Sequence, residues 1–134
     1  MFVRKMAAAL IFCLALVSTG CISFKYIGND LVAGENESEI IVNIGSTVYT
    51  GSYHIYLDGV YKDSMKKRGG VAKYIVGNGQ RVVSVQWQGT YGTPSDRASV
   101  QVDANSNRII VNAIKPSNSD RMEMQLEGVS ALAR

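Results

Sequence analysis

The side chains that could carry out acid–base or nucleophilic chemistry are few in this sequence. His54 is the only histidine among 134 residues, and it alternates with apolar neighbours, so we expect it on a polar sheet face without a catalytic partner. The sequence contains no Gly-x-Ser-x-Gly motif of the serine hydrolases and no cluster of acidic residues typical of a calcium loop. These patterns predict a protein that is not an enzyme and uses no cofactor.

The two cysteines limit metal and redox chemistry further. Cys13 lies inside an apolar N-terminal run, and Cys21 follows that run. If the run is removed, one cysteine and one histidine remain, which cannot complete a structural zinc site or an intramolecular disulfide bond. We therefore expect no metal site and no internal crosslink.

The first 20 residues have the composition of a secretory signal peptide. Arg4 and Lys5 form a positive start, residues 6–17 are almost entirely apolar, and residues 18–20 are small. This order is typical of a leader that is cleaved during export. The apolar run is shorter than the roughly 20 residues that a membrane-spanning helix needs. The pattern predicts a signal peptide over residues 1–20.

The small residues Ser18, Thr19 and Gly20 before Cys21 resemble the lipobox of bacterial lipoproteins, although Ser18 stands where leucine is usual. The resemblance implies that Cys21 becomes the first residue of the mature chain and carries diacylglycerol and acyl chains such as palmitate. Two or more chains give stable membrane anchoring. Ile22, in place of the aspartate of the inner-membrane sorting pattern, implies an outer-membrane location, on the periplasmic or surface face. Cleavage at another small residue, giving a secreted β-domain without a lipid anchor, is the alternative.

The mature chain is small and nearly neutral. Without residues 1–20, 114 residues remain, with 12 lysines and arginines and 11 acidic residues. This length corresponds to a single domain that can bury a sizeable core. A net charge of +1 argues against a basic surface for nucleic acid, so no nucleic-acid partner is expected.

Period-two alternation of apolar residues dominates the sequence after residue 38. Examples are Ile40, Val42 and Ile44, followed by similar runs as far as residue 126, and this pattern predicts half-buried strands. Asp58-Gly59 and Asn78-Gly79 are typical of two-residue hairpin turns. We predict an all-β fold, a small antiparallel β-sandwich of about seven strands. Residues 21–38 are predicted to be a lipidated tether or a loosely docked lead-in, residues 39–128 the sandwich, and residues 129–134 a C-terminal tail.

Residues 54–64, with the sequence HIYLDGVYKDS, resemble the opening strand and Asp-Gly turn of PEGA-type and related prealbumin-like β-domains of bacterial envelope lipoproteins. Residues 79–87, GQRVVSVQW, stand in the place of the later strand of those domains. The resemblance covers residues 53–114, and the proline-rich phrase that names the family is absent. It implies a binding or scaffolding module without catalysis.

Two groups of side chains are candidates for a ligand face. Aromatic rings on a sheet can bind glycans, and Tyr56, Tyr61 and Tyr74 could share one face, although tyrosine is also an ordinary strand residue. The run Lys66, Lys67 and Arg68 could bind an anionic lipid head group, or it could be a solvated hairpin tip or a protected sheet edge.

The sequence as a whole predicts a non-enzymatic cell-envelope lipoprotein that acts as a binding or scaffolding module, attached to the membrane through lipidated Cys21. An envelope protein, docked by a sheet face or an edge strand, is one expected partner. A module that binds glycan or lipid head groups is the alternative function.

Overall fold

The computed structural model describes residues 25–45, 51–66, 70–90, 92, 94–116 and 121–132. These residues form strands and turns, and none of them belongs to a helix long and apolar enough to cross a membrane. The strands in chain order are β1 (Tyr26–Ile27), β2 (Glu37–Ile44), β3 (Ser52–Leu57), β4 (Val60–Met65), β5 (Val71–Gly77), β6 (Gly79–Gln88), β7 (Ala98–Ala104), β8 (Asn107–Ile114) and β9 (Glu123–Ala131).

These strands form two sheets. The larger sheet has the order β1-β5-β2-β8-β9, and the smaller sheet has the order β4-β3-β6-β7. The predicted all-β sandwich is therefore confirmed, with nine strands in the described residues where the sequence pattern indicated about seven. Two pairings, β1 with β5 and β2 with β8, are parallel rather than antiparallel. The reason is that the chain passes through the smaller sheet between β2 and β8, so no hairpin joins these neighbours.

The apolar positions of the alternating pattern meet between the sheets. Ile40, Val42 and Ile44 of β2 are almost fully buried, as are Tyr53 and Ile55 of β3. Each such side chain stabilises the fold by about 1.5–3 kcal/mol relative to exposure. The same buried cluster contains residues from every strand except β1 and β9, namely Leu57, Met65, Ala72, Val76, Val83, Val85, Val102, Ala104, Ile109, Val111 and Ala113, together with Met122 just before β9.

The Asp58-Gly59 dipeptide forms the predicted hairpin turn. It joins β3 to β4, with Leu57 opposite Val60, and Asp58 and Gly59 have φ angles of 52° and 81°. Positive φ at both central residues is the requirement of a type I′ turn, which aspartate and glycine tolerate. The prediction for this hairpin is confirmed.

The Asn78-Gly79 dipeptide has a different role from the predicted hairpin, because β5 and β6 lie in different sheets. Asn78 instead holds the sheet crossover through its side chain. Its Oδ1 accepts hydrogen bonds from Ser38 Oγ at 3.1 Å and from the Ser106 backbone N–H at 2.8 Å. The turn between β7 and β8 is thereby fastened to the start of β2 and to the β5–β6 connection.

The N-terminal segment that the structure describes, residues 25–36, is docked on the larger sheet. β1 pairs with β5, and Ile27 packs against the core. Lys73 Nζ donates hydrogen bonds to the carbonyl oxygens of Asn29 and Leu31 at 3.2 and 3.0 Å. The sandwich thus includes residues from Lys25 onward, and β9 extends it to Ala131, beyond the predicted boundary at residue 128.

The strands of both sheets run up or down along one axis, so the sandwich has two ends. At the first, here called the proximal end, β1, β3, β5, β7 and β9 begin and β2, β4, β6 and β8 finish. At the opposite, distal end lie the Asp58-Gly59 turn and the crossovers after Gly77 and Ala104. This arrangement decides which loops lie close together.

Candidate binding surfaces

Alternation along the smaller sheet places polar and aromatic side chains on its solvent side. His54 and Tyr56 alternate with the buried residues of β3, Tyr61 lies opposite Tyr56 on β4, and Gln86 lies opposite His54 on β6. Gln88 is on the same side of β6, two residues further along. We call these five residues the outer polar face.

The aromatic rings of this face touch one another. The rings of Tyr56 and Tyr61 meet edge to face with centroids 5.8 Å apart, and His54 lies 6.1 Å from Tyr61. The guanidinium carbon of Arg97 lies 3.6 Å from the centroid of Tyr56, whose hydroxyl donates to Gln86 Oε1 at 3.2 Å. One face of the Tyr56 ring is therefore covered. Tyr61, which is 53% exposed, is the ring that a ligand could reach.

His54 contributes a polar atom with no partner in the described structure. Its Nε2 lies 3.0 Å from Gln88 Oε1. Because this oxygen can only accept, Nε2 carries the proton, and in the neutral ring Nδ1 is then an acceptor. Nδ1 is buried and has no hydrogen-bond partner.

Tyr74 does not join the other two tyrosines, and its predicted place on a shared ligand face is corrected. It lies opposite Ile40 on the inward side of the larger sheet and packs against the core. Its hydroxyl donates to Asp63 Oδ2 of β4 at 2.8 Å. Burial, and then this carboxylate, raise the pKa of Tyr74 above its ordinary value of 10.0. Tyr74 therefore connects the two sheets.

The basic run is only partly within the described residues. Lys66 is exposed directly after β4, on the crossover to β5 in the other sheet, so the predicted hairpin tip is not formed there. Its side chain lines an open depression of about 490 Å³ at the proximal end, with Ser52, Gln88 and Thr90. Lys67, Arg68 and the predicted lipidation site Cys21 lie outside the described residues.

Two conspicuous carboxylates have structural partners. Asp58 Oδ1 accepts the Val82 backbone N–H at 2.9 Å and its Oδ2 contacts Arg81 at 2.9 Å, and these contacts hold the pKa of Asp58 below its ordinary value. Glu39, which is 5% exposed, contacts Arg108 at 2.9 Å. Within the described ranges, no three His, Cys, Asp or Glu side chains are grouped as metal ligands.

The free edge formed by β7 and β9 was not predicted from the sequence. β9 is an edge strand of the larger sheet, β7 is an edge strand of the smaller sheet, and the two strands contact each other. Leu126 and Val129 lie opposite the core residues Val111 and Ile109, yet they are 49% and 55% exposed. The alternation of β9 resembles that of a covered strand. Only the structure shows that Met124 packs against the core while Leu126 and Val129 of the same strand stay half exposed.

Comparison with protein-family models, with curated proteins and with solved structures gives no significant match. The PEGA-type and lipobox resemblances therefore stay predictions. What the described residues define is a nine-stranded β-sandwich with an outer polar face on one sheet and an apolar free edge between β7 and β9.

Proposed function

We propose that this chain is a non-enzymatic lipoprotein of a bacterial cell envelope that binds another envelope protein through the free edge of its sandwich. The leader and Cys21 support the membrane anchor. The observation that carries the binding role is the partly covered apolar side of β9, where Leu126 and Val129 expose about half of their surfaces. A strand added beside β7 would extend the smaller sheet over these two side chains.

The edge of β7 is suited to such an addition. Among the described strands, β7 pairs only with β6, and this pairing is regular over seven residues. The strand sequence, ASVQVDA, contains no lysine, proline or bulge, which are the common means of protecting an edge. Strand addition obtains affinity from main-chain hydrogen bonds and specificity from alternate side chains.

The side chains along this edge indicate the chemistry of the partner strand. Asp103 on β7 and Glu127 on β9 are exposed carboxylates near this edge, and Arg97 and Arg121 are exposed cations just before the same two strands. A complementary segment would place apolar residues over Leu126 and Val129. The partner is therefore expected to supply an extended and alternately apolar segment.

Site-specific photocrosslinking in cells tests this function. A photoreactive residue at Gln101, exposed on β7, should give one defined adduct, and Leu126→Lys should abolish it. The same probe at Val60, which is 58% exposed on the opposite edge strand β4, is the matched control. In the purified complex, exchange of the β7 amides should slow because they become hydrogen-bonded. Adducts at both positions, or adducts that persist with Leu126→Lys, would refute the edge as the binding site.

The membrane anchor has its own test. Cells that express the full chain are labelled with a clickable palmitate, and the wild type is compared with Cys21→Ser. We expect label only on the wild type, with the acylated residue identified by mass spectrometry of the mature N-terminus. A mature chain that begins elsewhere and carries no acyl group would support the secreted alternative.

A second candidate function is glycan binding on the outer polar face. It is favoured by the exposed ring of Tyr61 within the outer polar face, since aromatic faces and polar tips suit hydroxyl-rich ligands. Tyr61→Ala should then abolish retention on peptidoglycan or lipopolysaccharide, whereas Val60→Ala should not. Equal retention of both variants would exclude this face as a glycan site.

A further inference from the structure

The direction of β1 places the attachment point of the membrane anchor at the proximal end. Tyr26 lies opposite Val71, and the carbonyl oxygen of Lys25 accepts the Val71 backbone N–H at 2.8 Å. Cys21 precedes Lys25 by four residues, which span at most about 14 Å when fully extended. A chain acylated at Cys21 therefore keeps Lys25 within this distance of its acylated residue.

The proximal end is also the basic end. The exposed cations described there are Lys25, Lys66 and Arg121, and the exposed carboxylates are Asp96 and Glu123, whereas the guanidinium of Arg97 lies over Tyr56 on the outer polar face. At the distal end, Glu35, Glu37, Asp58 and Asp103 accompany Lys62, Arg81 and Arg108. The proximal end therefore has an excess of cations and the distal end an excess of carboxylates, in a mature chain whose net charge is only +1.

We propose that the proximal end lies on the anionic phospholipid head groups of the bilayer that holds the acyl chains. The proposal rests on lipidation of Cys21. The maximum length of the connection is comparable to the Debye length of about 10 Å at 0.1 M salt, so Lys25, with Lys66 at the same end, lies within reach of the negative surface potential of the membrane. The strands then stand away from the membrane, and the β7/β9 edge stays open at the side.

Chemical acylation of the purified protein tests this inference without requiring lipid processing in cells. Cys21 is the only cysteine in residues 21–134, and the contacts described all lie within residues 25–132. One maleimide-linked acyl chain can therefore be attached to Cys21 of this mature chain. A single chain gives only marginal membrane binding, so an added electrostatic attraction is measurable. Binding is followed by flotation with phosphatidylcholine vesicles that contain or lack phosphatidylglycerol.

Lys66 and Lys62 provide a matched pair of variants, because both are exposed and they lie toward opposite ends of β4. Phosphatidylglycerol should strengthen binding of the wild type at low salt. Lys66→Gln and Lys25→Gln should each weaken that binding about fivefold, whereas Lys62→Gln should not change it. Wild-type binding that does not increase with phosphatidylglycerol, or an equal loss of binding for Lys62→Gln and Lys66→Gln, would overturn the proposal. If the wild type carries no palmitate label in cells, that result would instead refute only the lipidation of Cys21.

Discussion

Tyr74 and Asp63 show how a single hydrogen bond can join the two sheets. Each residue lies on the inward side of its strand, Tyr74 opposite Ile40 and Asp63 opposite Ile55. Both are half-buried, so the Asp63 carboxylate has lost part of its hydration. The hydrogen bond from the Tyr74 hydroxyl replaces a hydrogen bond to water. The ring that the sequence suggested as a ligand contact is therefore a structural element of the sandwich.

Tyr74→Phe should destabilise the fold by about 1 kcal/mol, because Asp63 loses a donor while it stays half-buried. Urea unfolding measures this change. Tyr61→Phe, which removes a hydroxyl from an exposed ring, should change stability by less than about 0.5 kcal/mol. Since the pKa of Tyr74 is raised in the fold, its contribution is present below pH 10.0 and declines above that value. Equal effects of the two variants would contradict the assigned role.

Asp58 predicts a dependence of stability on acid pH. Its pKa is lowered first by the Val82 backbone hydrogen bond and also by Arg81, so the unfolded chain binds this proton at a higher pH than the folded chain. The contribution is therefore complete above the ordinary value of 3.8 and is lost as pH falls through the lower folded value. Asp58→Asn should be destabilising at neutral pH, with a difference from the wild type that shrinks below pH 3.8. A difference that is constant across this range would contradict the assignment.

At the scale of elements, two similar turn dipeptides form different kinds of connection between strands. Asp58-Gly59 closes a hairpin within one sheet, whereas Asn78-Gly79 connects two sheets. Local conformation decides the first, because both residues adopt positive φ. The second depends on side-chain hydrogen bonds from Asn78 to residues about 28 and 40 positions away in the chain. Dipeptide chemistry indicates a turn in both cases but not the strands that it connects.

Gly59→Ala should destabilise the protein by about 1–2 kcal/mol, the approximate cost of a left-handed conformation for a residue with a Cβ. An added Cβ meets open space at Gly59, so the effect isolates the backbone conformation with φ of 81°. Gly128→Ala on β9 is the matched control, because its added Cβ is equally free and its φ is not in the left-handed region. Thermal unfolding compares the two variants. A Gly128→Ala loss as large as that of Gly59→Ala would mean that the turn conformation is not the cause.

At the scale of the whole molecule, the segment before β2 is part of the folded domain. Ile27 packs on the core, and Lys73 Nζ holds the carbonyl oxygens of Asn29 and Leu31. These contacts cover one edge of the larger sheet near β5. They also fix the position from which any membrane anchor must extend.

Removal of residues 21–33 from a chain of residues 21–134 should therefore destabilise it by about 2 kcal/mol, comparable to exposure of one large apolar side chain. Amide exchange in β5 should become faster, because Val71 loses its hydrogen bond to Lys25. Ile27→Ala should reproduce part of the loss, whereas Val32→Ala, at a site 82% exposed, should have almost no effect. If residues 21–33 were an independent tether, the truncated domain would instead be as stable as the chain of residues 21–134.

The sequence by itself determined the class of fold, the hairpin at Asp58-Gly59 and most of the core, because period-two alternation and positive-φ turns are local properties of the chain. The alternation that buries Ile40 and Val42 also places Tyr56 outward, so part of the outer polar face was predictable. Only the tertiary structure decided that Tyr74 faces Asp63, that β2 and β8 are parallel, and that Leu126 and Val129 of β9 stay half exposed. These features depend on which sheet each strand joins, and that choice arises from packing between residues far apart in the chain.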